Sequence, residues 1–143
     1  MNAQTYLFFD GRCEEALRFY SNVIGAETLF MMRFREGPPN LVTPGNKEKV
    51  LHATMRVGET LINLADDMKN ERGRFGGFAI LLHADSDAAA ERFFAGLSDG
   101  GFVQMPLQKT FWAARYGIVV DKFGIVWKVQ FSDGVGASEK PKR

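Results

Sequence analysis

Ala16-Leu17-Arg18-Phe19-Tyr20 and Ala90-Glu91-Arg92-Phe93-Phe94 are two versions of one helical segment. An apolar run precedes each of them, Tyr6 to Phe9 and Phe78 to Ala84, and small residues follow, Gly25-Ala26 and Gly100-Gly101. Ala16, Phe19, Tyr20 and Val23 recur at helical spacing, with Leu17 and Ile24 widening the stripe, so a helix is predicted over Arg12 to Ile24. Glu14 and Glu15 fall in its first turn, where the helix dipole favours acids, and Gly25 takes the usual position just past the end. In the second copy, Asp85-Ser86-Asp87 offers caps and early acids ahead of Ala90, Phe93, Phe94 and Leu97, and Gly100-Gly101 closes the helix.

The flanking segments read as strands. Ala26 to Arg35 has Phe30, Met32 and Phe34 on one face, and the Pro- and Gly-rich stretch Glu36 to Lys49 reads as a loop. Val50 to Val57 and Thr60 to Asp66 form a hairpin around Gly58-Glu59. Phe102 to Lys109, Ala114 to Val120 and Ile125 to Phe131 complete the set, the last two joined by Asp121-Lys122-Phe123-Gly124. The order strand, helix, strand, strand, strand therefore occurs twice. The expected fold is α+β, two tandem βαβββ modules at residues 1–66 and 78–131, with a linker at 67–77 and a polar tail at 132–143, one structural domain overall. Each helix is expected to cover one face of a curved mixed sheet, and the two remaining faces to enclose a cleft.

Composition narrows the function classes. The 143 residues carry a formal net charge of +1, which argues against a nucleic-acid binder held by a general basic field. A lone cysteine, Cys13, excludes an internal disulfide framework and a multi-cysteine zinc site and fits a reducing cytoplasm. No apolar run reaches the roughly 18 residues that a membrane span needs. Thirteen Phe suggest an aromatic core, an interface or an apolar pocket.

Phe9-Asp10-Gly11-Arg12-Cys13-Glu14-Glu15-Ala16-Leu17-Arg18-Phe19-Tyr20, His52-Ala53-Thr54-Met55-Arg56-Val57-Gly58, Thr110-Phe111-Trp112 and Asp121-Lys122-Phe123-Gly124-Ile125-Val126-Trp127, set in a tandem βαβββ repeat, resemble the vicinal oxygen chelate superfamily (glyoxalase, bleomycin resistance and extradiol dioxygenase proteins), and within it the PhnB-like branch. That branch often carries the label demethylubiquinone methyltransferase-like. The glycine cluster Gly73-Arg74-Phe75-Gly76-Gly77 precedes a strand and opens no helix, so methyl transfer is not expected. The resemblance implies a homodimer.

It also implies where metal ligands would stand: near Thr5 and Ala79 on the first strands, and at Asn63 and Lys128 on the last. A protonated ammonium and an alanine cannot ligate a divalent cation, and a register slip bringing Gln4 or Gln130 into place leaves a poor site. No metal and no other cofactor is therefore expected.

Side-chain alternation assigns faces. Around Gly58-Glu59, Val57 pairs with Thr60 and Thr54 with Asn63. This puts His52, Thr54, Arg56, Leu61, Asn63 and Ala65 opposite the helix-facing set Ala53, Met55, Val57, Ile62 and Leu64. If Asp121 to Gly124 is the second turn, Val120 pairs with Ile125. Arg115, Gly117, Val119, Val126, Lys128 and Gln130 then share the polar face, against Tyr116, Ile118, Val120, Ile125, Trp127 and Val129.

The candidate ligand-binding residues are thus His52, Arg56, Asn63, Trp112, Arg115, Lys128 and Gln130. Arg56, Arg115 and Lys128 suit an anionic or polar small molecule, or else are solvated charges on a half-exposed sheet. His52 is either a general base or ligand donor, or a strand-start histidine satisfied by backbone; Trp112 either stacks on a ligand or packs at an interface. His83 reads as structural, at the end of a buried strand. Cys13 sits where a helix dipole would lower a thiol pKa, but no base accompanies it. Asp66-Asp67 and Asp85/Asp87 read as turn and cap residues.

The expected function is binding of a polar or anionic metabolite or toxin in a metal-free cleft of a cytoplasmic protein. The alternatives are a metal-dependent lyase, isomerase or dioxygenase of the same superfamily, and a metal-free enzyme using His52 with Arg56 or Arg115 as oxyanion-stabilising cations.

Overall fold

The computed structural model describes residues 1–69 and 74–133. Residues 70–73 of the expected linker and 134–143 of the expected tail lie outside the described residues. The chain divides between Arg74 and Phe75 into two compact units, each with the same element order. No helix among the described residues is long and apolar enough to cross a membrane.

The first unit consists of β1 (Thr5–Phe9), α1 (Cys13–Ile24), β2 (Glu27–Arg33), β3 (Val50–Val57) and β4 (Thr60–Asp66). Its sheet order is β1-β4-β3-β2, parallel between β1 and β4 and antiparallel elsewhere. Alternation in β1 places Leu7 and Phe9 under α1. They pack into a core with Met55, Ile62 and Leu64, onto which α1 lays Ala16, Leu17, Phe19, Tyr20 and Ile24. Full burial of such side chains stabilises by roughly 1.5–3 kcal/mol each. Gly25 ends α1 in the left-handed region at φ 68°, as its position predicts. β2 is shorter than expected: two irregularities interrupt its pairing with β3, and Phe34 leaves the strand for a 3-10 turn, Phe34–Glu36, instead of sharing a face with Phe30 and Met32.

The second unit consists of β5 (Ile80–His83), α2 (Asp87–Ser98), β6 (Phe102–Gln108), β7 (Arg115–Val120) and β8 (Val126–Phe131). Its order is β5-β8-β7-β6, again parallel at the first pair only. The Ser86 hydroxyl caps α2 by accepting from the Ala89 amide at 3.0 Å. The helix ends before the glycine pair, and Gly100, at φ +81°, supplies the left-handed turn into β6. Both sheets are mixed, so the fold is α+β with two βαβββ modules.

The first hairpin has the register read from its turn, Val57 opposite Thr60 and Thr54 opposite Asn63. The second does not. Val120 pairs with Val126 rather than Ile125, because the loop holds one residue more. The Asp121 carboxylate accepts from the Phe123 and Ile125 amides, and the Asp121 amide donates to the Ile125 carbonyl, so Ile125 belongs to the turn. One residue of slip exchanges faces. Gly117, Val119, Trp127 and Val129 lie under α2, while Tyr116, Ile118, Lys128 and Gln130 share the open face. Arg115 moves to the helix side.

Candidate functional site

The open face of the first sheet carries a row of polar side chains joined end to end. Tyr6 on β1 stands opposite Asn63 on β4, which stands opposite Thr54 on β3. Strand pairing thus brings together residues that are far apart in sequence. The Tyr6 hydroxyl lies 2.6 Å from His52 Nδ1, and His52 Nε2 makes a longer contact of 3.4 Å with Thr54 Oγ1. The Thr54 hydroxyl donates to Asn63 Oδ1 at 2.8 Å, and the Asn63 amide donates to Gln4 Oε1 at 2.8 Å. Ala65, the β4 partner of Phe8, is the small residue next along this face from Asn63.

Aromatic rings flank the row. Tyr6 stacks on Phe8 with centroids 5.0 Å apart, and the Phe30 ring lies 5.9 Å from the His52 ring. Tyr6, Phe8 and Phe30 are each more than 40% exposed, a concentration of large rings on a half-polar surface. Burial, and secondarily the charge that Cys13 would carry, pushes the Tyr6 phenol above its ordinary value.

The arginines do not join this row as free cations. Arg56, on the same face as His52, is ion-paired with Glu27 across the β2–β3 pair. Arg115, corrected to the helix side, is anchored to two acids of α2, Asp87 at 3.0 Å and Glu91. These acids raise its guanidinium further, so it stands as a structural tie between β7 and the start of α2.

On the second sheet Lys128 and Gln130 occupy the open face, Lys128 opposite Leu81 and Gln130 opposite His83. His83 is exposed rather than part of a buried strand. Trp112 packs edge-to-face on Tyr116 at 5.1 Å and on the exposed Phe111 at 4.7 Å. Lys128 makes no salt bridge among the described residues.

Strand pairing sets Tyr6 rather than Thr5 beside Asn63, and Leu81 rather than Ala79 beside Lys128. These are a phenol and an amide already hydrogen-bonded to neighbours, an alkyl chain and an ammonium, which do not suit a divalent cation. Among the described residues no three His, Cys, Asp or Glu side chains come together as a metal-holding group.

Cys13 is buried, and its thiol is pushed up by burial first and then by the charges of Asp66 and Glu14, the reverse of the dipole expectation. Asp66 is a structural clamp, accepting from the Cys13 amide and the Val50 amide at 2.9 Å each. Burial raises its carboxyl against the lowering effect of those donors.

Tyr6 escaped the sequence reading as a site residue. Alternation in β1 separates Tyr6 and Phe8 from Leu7 and Phe9, but nothing in the local sequence reports the parallel register that sets Tyr6 beside His52.

The comparisons with known proteins agree with this architecture. Residues 3–129 match the model of the Glyoxalase/Bleomycin resistance protein/Dioxygenase superfamily. The chain is 30% identical to Protein YjdN of Escherichia coli (strain K12) over 138 residues, covering 90% of this chain and 94% of that one. Protein PA1353 from Pseudomonas aeruginosa superposes with a TM-score of 0.83 at 36% identity, over 92% of this chain and 98% of that one. A PhnB protein from Bacillus cereus, described as a putative 3-demethylubiquinone-9 3-methyltransferase, shares the fold at 24% identity, with a TM-score of 0.79 over 92% of this chain and 100% of its own. With the tandem modules and the matched span of the family model in agreement, the chain belongs to the Glyoxalase/Bleomycin resistance protein/Dioxygenase superfamily.

Proposed function

We propose that the protein binds a small polar organic molecule on the open face of its first module, without a metal ion. The observation that carries this reading is the hydrogen-bonded row Gln4–Asn63–Thr54–His52–Tyr6 standing among exposed aromatic rings. Binding sites pair apolar and aromatic walls with a few placed polar groups, and here all of them but Gln4 stand on strands. The rings would cover a flat portion of the ligand, while the ends of the row would meet its donors and acceptors. On the second module, Lys128 and Gln130 share the open face, which supports an anionic ligand there. The unsuitability of the donors at the family's ligand positions supports the metal-free part of the reading.

The test is native mass spectrometry of the purified full chain, paired with a thermal-shift screen of polar metabolites against the parent and an Asn63→Leu variant. The expected result is a non-covalent organic adduct, or a compound that raises the parent's melting temperature but not the variant's. A stoichiometric divalent ion removed only by chelation overturns the metal-free reading, and a screen without any specific shift overturns binding.

A further inference from the structure

The donors in the polar row all point one way. The single hydroxyl hydrogen of Thr54 is given to Asn63 Oδ1, so towards His52 the Thr54 oxygen can only accept. In the tautomer that completes this row, His52 Nε2 carries the hydrogen and Nδ1 accepts. At 2.6 Å the only hydrogen available between Tyr6 and Nδ1 is that of the phenol. The sequence of donors runs Tyr6 to His52 to Thr54 to Asn63 to Gln4. Its upstream end is the hydroxyl of Tyr6, a residue 41% exposed, whose oxygen keeps acceptor capacity while its hydrogen is given to His52.

We propose that Tyr6 and His52 act as a proton-transfer pair towards a bound hydroxyl-bearing ligand. The ligand's O–H bond breaks as its proton passes to the Tyr6 oxygen. The original Tyr6 O–H bond breaks as that proton passes to His52 Nδ1. Tyr6 ends unchanged, the ligand is an alkoxide or enolate, and His52 holds the proton. A phenol is protonated at neutral pH, so the oxygen gains basicity only as His52 takes its hydrogen, the logic of a general base acting through an intermediary. His52 is the positioning partner and Tyr6 the residue that touches the ligand. The inference uses the face assigned above to binding but asks more of it, since a binding face needs no proton movement.

The pair can be tested without knowing the ligand. Benzenesulfonyl fluoride is a small neutral electrophile: the Tyr6 oxygen forms the S–O bond, the S–F bond breaks, fluoride leaves and the phenol proton goes to His52 Nδ1. The chain has three tyrosines, and Tyr20 and Tyr116 are buried at 0% and 9% exposure, so peptide mapping separates them. The expected result is selective labelling of Tyr6, slowed about tenfold or more in a folded His52→Gln variant, in line with loss of general-base assistance. Nitrogen-15 spectra of the full chain should show His52 with hydrogen on Nε2, and Tyr6→Phe should move the Nδ1 resonance. An unchanged rate in His52→Gln, a hydrogen on Nδ1, or an Nδ1 signal indifferent to Tyr6→Phe overturns the proposal. None of these outcomes bears on whether a metabolite binds, so the two readings fail separately.

Discussion

Gly101 lies directly against the Val120 carbonyl: a Cβ at position 101 would stand 2.0 Å from that oxygen and 2.9 Å from the Asp121 carbonyl carbon. The backbone of the β6 entry and the end of β7 touch with no room for a methyl group. Gly101→Ala is expected to cost about 3 kcal/mol or more, at or beyond the upper end of overpacking penalties, because the obstacle is backbone rather than a movable side chain. Gly45, where an added Cβ would find nothing within 4 Å, is the control, and Gly45→Ala should stay within about 0.5 kcal/mol of the parent in urea unfolding.

The Asp121 carboxylate is the hub of the β7–β8 turn. It accepts from the Phe123 amide at 2.9 Å, the Ile125 amide at 3.0 Å and the Trp127 indole at 2.9 Å, all of them buried. Asp121→Ala leaves three donors unpaired and should destabilise by about 3 kcal/mol or more, since one such buried group costs roughly 1–3 kcal/mol. Asp121→Asn keeps one acceptor oxygen and should fall between. Chemical unfolding followed by tryptophan fluorescence reads both.

Cys13 should resist alkylation. At about pH 9 an ordinary thiol is largely ionised, whereas burial and the neighbouring acids hold this one protonated. Iodoacetamide is expected to modify the chain only after denaturant unfolds it, and mass spectrometry against time distinguishes the two cases. Rapid native-state labelling would mean that the α1 start opens readily.

Glu14 sets a sign for acid stability. The Arg33 guanidinium grips both of its oxygens at 2.9 Å and holds the carboxyl below the usual glutamate range. A depressed folded value means that the stabilisation is complete above the ordinary value of about 4.3 and is lost as pH falls through the lowered one. Glu14→Gln should therefore melt below the parent at neutral pH, and the two curves should converge in acid. The side chain is 40% exposed, so solvent screening keeps the gap small. Calorimetric melting temperatures from neutral pH into the acid range measure it. Asp66, raised by burial, contributes with the opposite sign, its stabilisation being fullest in acid and fading as pH rises through its elevated value.

The two hairpins show what the sequence made legible. Gly58-Glu59 is a two-residue turn with Gly58 at φ +59°, and such a turn dictates its register; the faces carrying His52, Asn63 and Met55 followed correctly. The Asp121 turn looked equally tight. Its aspartate instead folds Ile125 into the loop, and that one residue sent Arg115 to α2 and put Lys128 beside Tyr116 and Ile118. The apolar character of Tyr116, Ile118 and Val120 made them read as the helix-facing side, whereas the side lying under Phe94 belongs to Gly117, where an added Cβ would come within 2.8 Å of that ring. The Tyr6–His52 pairing depends on a parallel register between β1 and β4, and hydrophobic periodicity carries no information about which residues of two parallel strands stand level.

The Asp66 clamp has a consequence for affinity. By fastening the amides of Cys13 and Val50 to one carboxylate, it pins the β4 end to the α1 start and to the first residue of β3, two positions before His52. The backbone leading into His52 is thus fixed before any molecule arrives, and the Tyr6 hydroxyl holds the ring itself. Immobilising a free side chain on association costs roughly 0.5–1.5 kcal/mol, and that entropy loss has already been met during folding. A ligand of this face would encounter a preorganised surface, and loosening the clamp would weaken its grip from a distance, through a carboxylate that never meets it.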